Sequence, residues 1–326
     1  MPPRDLCQHV SDFLTRHVTP GAPFLIALSG GVDSMVLLDI AARLNRENSL
    51  NTAPLLVFRA MHVNHGMSKN ADAWAQFCHA QCAARDVALS VTRVEIDRHA
   101  GTGLEAAARE ARYRALGQTP ARFVLTAQHQ DDQAETVLHQ LLRGTGLAGL
   151  AGMGESRVLA TGQVLLRPLL TISRAAIEIY AREHHLTWIE DESNQDTAYT
   201  RNFIRHDVLP NIAARFPHYA ESLTRAARHA HESASLNEAL AKLDLKWDGV
   251  EAYADALDTL PRERQTNALY YWLRWQDLGD LSAPSQQQIE EWATQIFRPS
   301  PKGKPHLAGG HGVKIRRVKN RLVLET

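Results

Sequence analysis

Phe24-Leu25-Ile26-Ala27-Leu28-Ser29-Gly30-Gly31-Val32-Asp33-Ser34, residues 24–34, is a short apolar run followed by a glycine pair set between two serines. Met35 to Leu44 then carries apolar residues at helical intervals, so the order is strand, tight loop, helix. Backbone N–H groups and the positive end of the helix converge on such a loop, and an anion belongs there. The glycines permit torsions and a close approach that side chains would forbid, while Ser29 and Ser34 add hydroxyl donors. An ordinary tight turn is the bland alternative, but a turn rarely needs all of these features at once. The loop lacks the Gly-Lys-Ser/Thr ending whose lysine reaches terminal phosphates, so transfer of the terminal phosphate is not the expected chemistry.

The pattern repeats outward from this loop. Leu55 to Val63 reads as a strand, Ala71 to Arg85 as a helix, Val87 to Ile96 as a strand, Leu104 to Leu116 as a helix and Phe123 to Thr126 as a fourth strand. Asp131 to Leu142 is an amphipathic helix ended by Gly144, and Arg4 to Val18 is a lead-in helix stopped by Pro20-Gly21. Alternation of this kind predicts a doubly wound, mainly parallel α/β sheet with ligands at the carboxyl ends of its strands. Gly144 to Gly154 is expected to be a glycine-rich loop near that rim.

Alternation stops near Pro217. The expected division is a catalytic domain over 1–217, a linker helix over 218–248 and a smaller, mostly helical domain over 249–326 that ends in a hairpin. Helices are expected at Tyr219 to Leu245, Leu260 to Leu278 and Ser285 to Phe297, with the hairpin at Gly312 to Leu324.

Composition bounds the class of protein. At 326 residues, 44% hydrophobic and 22% charged, the chain is globular, and no stretch is apolar for long enough to cross a bilayer. No secretory signal is recognisable at Met1-Pro2-Pro3-Arg4, so a cytoplasmic protein without a membrane partner is expected. Lys plus Arg and Asp plus Glu both number 36, so any polyanion must be drawn by a local patch. Arg298 to Thr326 supplies a candidate patch, with eight basic residues against the single acid Glu325, although a solvated tail has the same composition.

A second carboxylate cluster, His129-Gln130-Asp131-Asp132-Gln133-Ala134-Glu135-Thr136, ends the fourth strand and so shares a rim with the loop. One aspartate is expected to cap the helix; Asp132 is the choice for holding Mg²⁺ together with Asp33, which repulsion keeps from binding phosphate directly. Cys78, His79 and Cys82 lack the paired Cys-x-x-Cys spacing of a structural zinc site, and core packing is expected for the cysteines.

Ser-Gly-Gly-x-Asp-Ser between a strand and a helix resembles the PP-loop of the N-type ATP pyrophosphatases, which implies adenylation of a substrate with release of pyrophosphate. Further segments narrow the resemblance: His62-Val63-Asn64-His65-Gly66, Leu104 to Tyr113, Arg143-Gly144-Thr145-Gly146, Glu190 to Asn194 and Arg201-Asn202-Phe203-Ile204-Arg205. In this order they resemble the tRNA(Ile)-lysidine synthetases over nearly all of the first 217 residues. The remaining third is similar to that family's first C-terminal domain, with no length left for the further domain of its longer forms.

The resemblance implies ATP and Mg²⁺ as cofactors, and isoleucine tRNA with a CAU anticodon and L-lysine as partners. It implies adenylation of the wobble cytidine and then lysine attack. ATP is expected along Ala27, Ser29, Gly30, Gly31, Val32, Asp33, Ser34 and His62, with His129 nearby. Asp33, Asp132, Arg109 and Arg112 are expected to be catalytic, the arginines neutralising developing negative charge. Without the resemblance, Arg109 and Arg112 would read as a solvated face paired with Glu105 and Glu110. Arg201 and Arg205 are expected to bind RNA or the activated base, and Glu190, Asp191 and Glu192 are candidates for the lysine ammonium groups with none singled out.

A tRNA thiolation enzyme is the nearest alternative, a glutamine-dependent amidating synthetase is more remote, and an RNA-binding module with a vestigial loop is the reading from another class. The oligomeric state stays open, a homodimer included.

Overall fold

The computed structural model describes residues 5–18, 22–50, 57–95, 104–192, 196–197, 199–249, 251–254, 257–276, 284–297, 306–310, 313–318 and 321–325. Contacts divide the chain into one unit of residues 1–143 and 152–225 and a second of residues 144–151 and 226–326.

In the first unit the order is α1 (Leu6–His17), β1 (Phe24–Ala27), α2 (Val32–Leu50), β2 (Phe58–Asn64), α3 (Ala71–Ala83), β3 (Ala88–Arg93), α4 (Leu104–Gly117), β4 (Phe123–Leu125) and α5 (Gln130–Leu142). After α6 (Leu147–Leu150), which groups with the second unit, come β5 (Ser156–Val158), β6 (Val164–Leu166), α7 (Arg174–Glu183), α8 (Thr200–Phe203), a π-helical turn (Ile204–Val208) and α9 (Leu209–Arg215). The strands lie in the order β3-β2-β1-β4-β6-β5, all parallel except β5, which runs antiparallel to β6. The expected doubly wound sheet is present.

Alternation along β1 explains the two cores. Phe24 and Ile26 join α1, α2, α3 and α7 on one face, while Leu25 joins Met61, Val124, Leu165 and Leu116 of α4 on the other. Met35, Val36, Leu37, Leu38 and Ile40 of α2 have no exposed surface. Burial of each such side chain contributes about 1.5–3 kcal/mol, so the helix carrying the glycine loop is firmly seated. Deeper along it, buried Asp39 accepts from Arg43 Nε at 2.7 Å, Arg85 Nε at 3.1 Å and the Tyr180 hydroxyl at 3.0 Å. Burial pushes the Asp39 carboxyl up, but these donors outweigh it and hold the pKa below its usual value.

α10 (Tyr219–Asp244) starts in the first unit and ends in the second. The second unit continues with a short 3₁₀ turn, α11 (Arg262–Trp275), α12 (Gln286–Ile296), β7 (His306–Gly310), β8 (Val313–Val318) and β9 (Arg321–Glu325). Its core joins Leu269, Trp272, Ile289 and Trp292 to Ile315 and Leu322. The expected terminal hairpin is a three-stranded antiparallel sheet, β7-β8-β9, because His306–Gly310 adds a strand that its glycines concealed. Among the described residues no helix is long and apolar enough to cross a membrane.

Three cations of the basic C-terminal patch are ion-paired. Arg316 pairs with Glu325 at 2.9 Å, Arg317 holds both oxygens of Asp258 at 2.6 and 2.9 Å, and Arg321 pairs with Glu251. Arg317 and Arg321 are thus matched in space by acids from elsewhere in the chain, and Arg316 by the Glu325 already counted with the patch. Arg298, Lys302, Lys304 and Lys319 lie outside the described residues.

Candidate active site

The glycine loop joins β1 to α2 at the carboxyl edge of the sheet. Ser34 Oγ organises it, accepting from Gly30 N at 3.1 Å and Ser29 N at 3.3 Å and donating to Gly31 O at 2.9 Å, with Ser29 Oγ 3.0 Å away. The first-turn N–H groups of α2 have no partners within the helix, and with the helix dipole they form an anion nest. Gly30 has φ +89°, and a Cβ there would lie 2.6 Å from Ile189 Cδ1 and 3.2 Å from Cys78 Sγ. Only glycine fits this position. A Cβ at Gly31 would meet nothing closer than Ser29 Oγ at 3.6 Å, so the protein itself does not require that glycine. Its need, if steric, comes from a ligand.

Two neighbouring elements complete this wall. Ile189 N–H donates to Gly30 O at 2.9 Å, and Glu192 accepts from Ser68 Oγ and Asn70 Nδ2 at 3.1 and 3.0 Å, so Glu192 is engaged with the β2–α3 connection. His62, at the end of β2, donates through Nδ1 to Leu28 O at 3.0 Å, which leaves Nε2 as the acceptor. Burial lowers the His62 pKa, although the bond to Leu28 opposes that, so the ring stays neutral at physiological pH. Burial and the Arg112 charge bring His65 down to about 4; both its ring nitrogens are buried without a hydrogen-bond partner.

The acidic cluster differs from expectation at its cap. His129, not an aspartate, is the N-cap of α5: its Nδ1 accepts from Asp132 N at 3.4 Å while Asp132 Oδ2 accepts from His129 N at 3.1 Å, a reciprocal capping box. With Nδ1 accepting, the proton sits on Nε2, which lies 3.6 Å from Asp33 Oδ1 and 3.5 Å from Asp132 Oδ2. The buried imidazole therefore draws the carboxylates of α2 and α5 around one nitrogen. Asp131 turns to α7, accepting from Arg174 N at 2.8 Å.

Arg174, unmarked by any motif, reaches Asp33 Oδ2 at 3.2 Å. Asp33 Oδ1 is buried without a hydrogen-bond partner. Burial raises the Asp33 pKa, with His129 and Arg174 pulling against it. Among the described residues no three His, Cys, Asp or Glu side chains converge to hold a metal by themselves. Magnesium usually takes one or two carboxylates and completes its shell with phosphates and water, so the unpartnered Asp33 oxygen beside Asp132 fits that ion.

Arg201 and Arg205 are not free surface cations. Arg205 bonds Glu135 at 2.5 and 3.0 Å and Asp132 at 2.9 Å, and Arg201 bonds Glu135 at 3.4 Å and Thr136 at 3.1 Å. Glu135 is 2% exposed. The signal for it was available, since Glu135 stands one turn beyond Asp132 on the same face of α5.

Arg109 and Arg112 do lie near the rim. Arg112 acts on His62 and His65, and Arg109 sits 5.2 Å above the Tyr113 ring. Arg112 is open to solvent, and crowding by the surrounding protein lowers its pKa, opposed by Tyr113 and assisted by the Arg109 charge. The alternative of a face paired with Glu110 is not what forms, because Glu110 binds Arg114 at 2.8 Å. The Glu105 side chain lies outside the described residues. Cys78 and Cys82 are buried as expected, and burial pushes their thiols to about 12 and about 11, the Cys82 thiolate adding to the first shift.

Comparison with known proteins matches a family profile described as a PP-loop domain over residues 5–212 and one described as the TilS substrate binding domain over 254–323. The chain is 46% identical to the tRNA(Ile)-lysidine synthase of Burkholderia pseudomallei over 84% of its own length and 56% of that protein's. For the synthase of Azoarcus sp. the identity is 44%, covering 86% and 61%. For that of Methylococcus capsulatus it is 39%, covering 94% and 69%. The chain thus spans a little over half the length of the first two. Among solved structures, a U34-tRNA thiolase from Methanococcus maripaludis with its [4Fe-4S] cluster superposes with a TM-score of 0.56 at 18% identity, covering 70% of this chain and 78% of that one. That likeness is one of fold.

Proposed function

Because the chain belongs to the tRNA(Ile)-lysidine synthase family, we propose that it uses ATP to adenylate the wobble cytidine of an isoleucine tRNA with a CAU anticodon. Attack by the ε-amine of L-lysine then displaces AMP and leaves lysidine, so that the anticodon reads AUA instead of AUG. The observation that carries this reading is the convergence of a lysine-free anion nest with Asp33, His129 and Asp132 at one end of the sheet.

In this reading residues 1–217 hold the chemistry. The nest binds the two outer phosphates, and backbone at Ala27 together with His62 Nε2 faces the adenine side. Asp33 and Asp132 would hold Mg²⁺, which supplies charge neutralisation at the phosphates when bound. Arg174 and His129 fix the two carboxylates from behind. Arg109 and Arg112 supply fixed positive charge where negative charge grows on the α-phosphate and the pyrimidine, and fixed cations need no reorganisation at the moment of reaction. Arg205, locked to Asp132 and Glu135, positions the start of α5. Residues 249–326 bind the tRNA, with 218–248 as the connecting helix.

Thiolation fits less well, because it requires a reactive thiolate and burial keeps Cys78 and Cys82 protonated. The test is incubation with ATP, radiolabelled lysine and isoleucine tRNA bearing CAU, followed by digestion to nucleosides. Label in a modified cytidine, with one AMP formed per event, is the expected result. No label, or sulfur in its place, refutes the proposal.

A further inference from the structure

One group of charges on the sheet has no counter-charge. Arg167 follows β6 at the carboxyl rim and is 3% exposed; its Nη1 donates to Gly154 O at 2.6 Å and its Nε is buried without a partner. Other buried ions of this unit are matched: Asp39 by Arg43 and Arg85, and Glu135 by Arg201 and Arg205. A buried guanidinium with only neutral acceptors is costly, and of its neighbours only Tyr113, whose hydroxyl it also bonds, lowers that cost. Arg109 and Arg157 both add positive charge to it, and Arg109 bears in turn on Arg112.

Sheet register shows why these four residues gather. Arg157 of β5 stands opposite Leu165 of β6, whose side chain belongs to the core on the α4 face. Cross-strand partners share a face, and Arg167, two residues beyond Leu165, returns to the same one. α4 lies over that face and contributes Arg109 and Arg112. Among the described residues none of the four has a carboxylate within ion-pairing distance, and the adjacent acid, Glu155, is engaged with His17 at 3.5 Å.

We propose that Arg157 and Arg167 extend the positive charge of Arg109 and Arg112 outward into a track along the rim, Arg157 taking the RNA phosphodiesters that flank the reacting base and Arg167 lying beneath them as a buried floor. This rests on the acceptor being RNA, as proposed above. At ~4.8 Å between strands, β6 lies roughly 10 Å and β5 roughly 14 Å to the side of β1, which carries the nest, so the outer half of the track is placed for the acceptor's backbone and not for the nucleotide's phosphates. A base presented for chemistry is splayed from a single-stranded loop, and its flanking phosphates must be gripped on either side.

The test is the affinity of the full chain for an anticodon stem-loop carrying CAU, measured across a series of KCl concentrations. For a single strand, each lost phosphate contact makes the slope of log K against log salt shallower by about 0.7. Arg157→Glu is expected to show that change with weaker binding, Arg167→Met to weaken binding with a smaller change of slope because its charge lies beneath the surface, Arg167→Lys to restore much of the affinity, and Arg182→Ala, at an exposed position of α7, to match wild type. If Arg167→Met does not fold, the exposed Arg157→Glu variant decides alone. Wild-type slope and affinity in Arg157→Glu overturn the track while leaving the enzyme assignment intact. A wild-type protein that binds no stem-loop overturns both.

Discussion

Replacing Asp33 by asparagine should make the metal-free protein more stable while abolishing adenylation. Oδ1 is buried without a partner, and leaving a charged acceptor unsatisfied costs about 1–3 kcal/mol. Against this stand His129, whose Nε2 lies 3.6 Å from Oδ1 and only partly offsets the burial, and the Oδ2 bond to Arg174, whose guanidinium is 39% exposed, so that pair contributes roughly 0–1 kcal/mol. The balance favours the amide by about 1 kcal/mol, or roughly 2–4 °C in Tm for a unit of this size. The pH dependence follows from the raised pKa of Asp33. A carboxyl whose folded pKa exceeds its unfolded value favours folding while protonated and loses that contribution as pH rises through the folded pKa. The advantage of Asp33→Asn should therefore be absent in acid and grow to a plateau above the folded pKa. Thermal unfolding in EDTA from acid to neutral pH measures it. A variant less stable than wild type at neutral pH, or a difference in Tm that does not change with pH, refutes the reasoning.

Two further predictions separate structural from ligand-imposed requirements. Glu135→Ala should lower the stability of the first unit by about 2–3 kcal/mol in urea: below the usual cost of breaking a buried pair, because Arg205 is 32% exposed and keeps Asp132. Loss of less than half a kcal/mol would show that Glu135 does not anchor the π-helical turn. Gly30→Ala should cost about 1–2 kcal/mol through its left-handed backbone alone, whereas Gly31→Ala should fold with near-wild-type stability and lose ATP affinity by calorimetry. Equal stability losses in the two variants would contradict that distinction.

The glycine loop was readable because its constraints are local: a strand, a positive-φ turn and a helix are consecutive in sequence. α10 was readable for the same reason, and its observed span ends one residue short of the expected one. His129 as a cap was not, because aspartates beside it are the commoner caps and nothing in the sequence reports which residue adopts the extended N-cap backbone. Arg174 and Arg167 carry no spacing signal; their significance comes from which strand ends the fold brings together. Pairing of Arg317 and Arg321 within the C-terminal basic patch was hidden for a related reason, since Asp258 and Glu251 reach it only through tertiary packing.

Asp39 lies on α2 beyond the phosphate loop, and it fastens that helix to the turn after α3 through Arg85 and to α7 through Tyr180. The nest is consequently mounted on a cross-braced shaft. Its donors are fixed before any substrate arrives, and little ordering entropy remains to be lost on binding. Variants selected for altered ATP affinity should accordingly include positions around this brace, where loosening the mount would spread the donors without removing any of them.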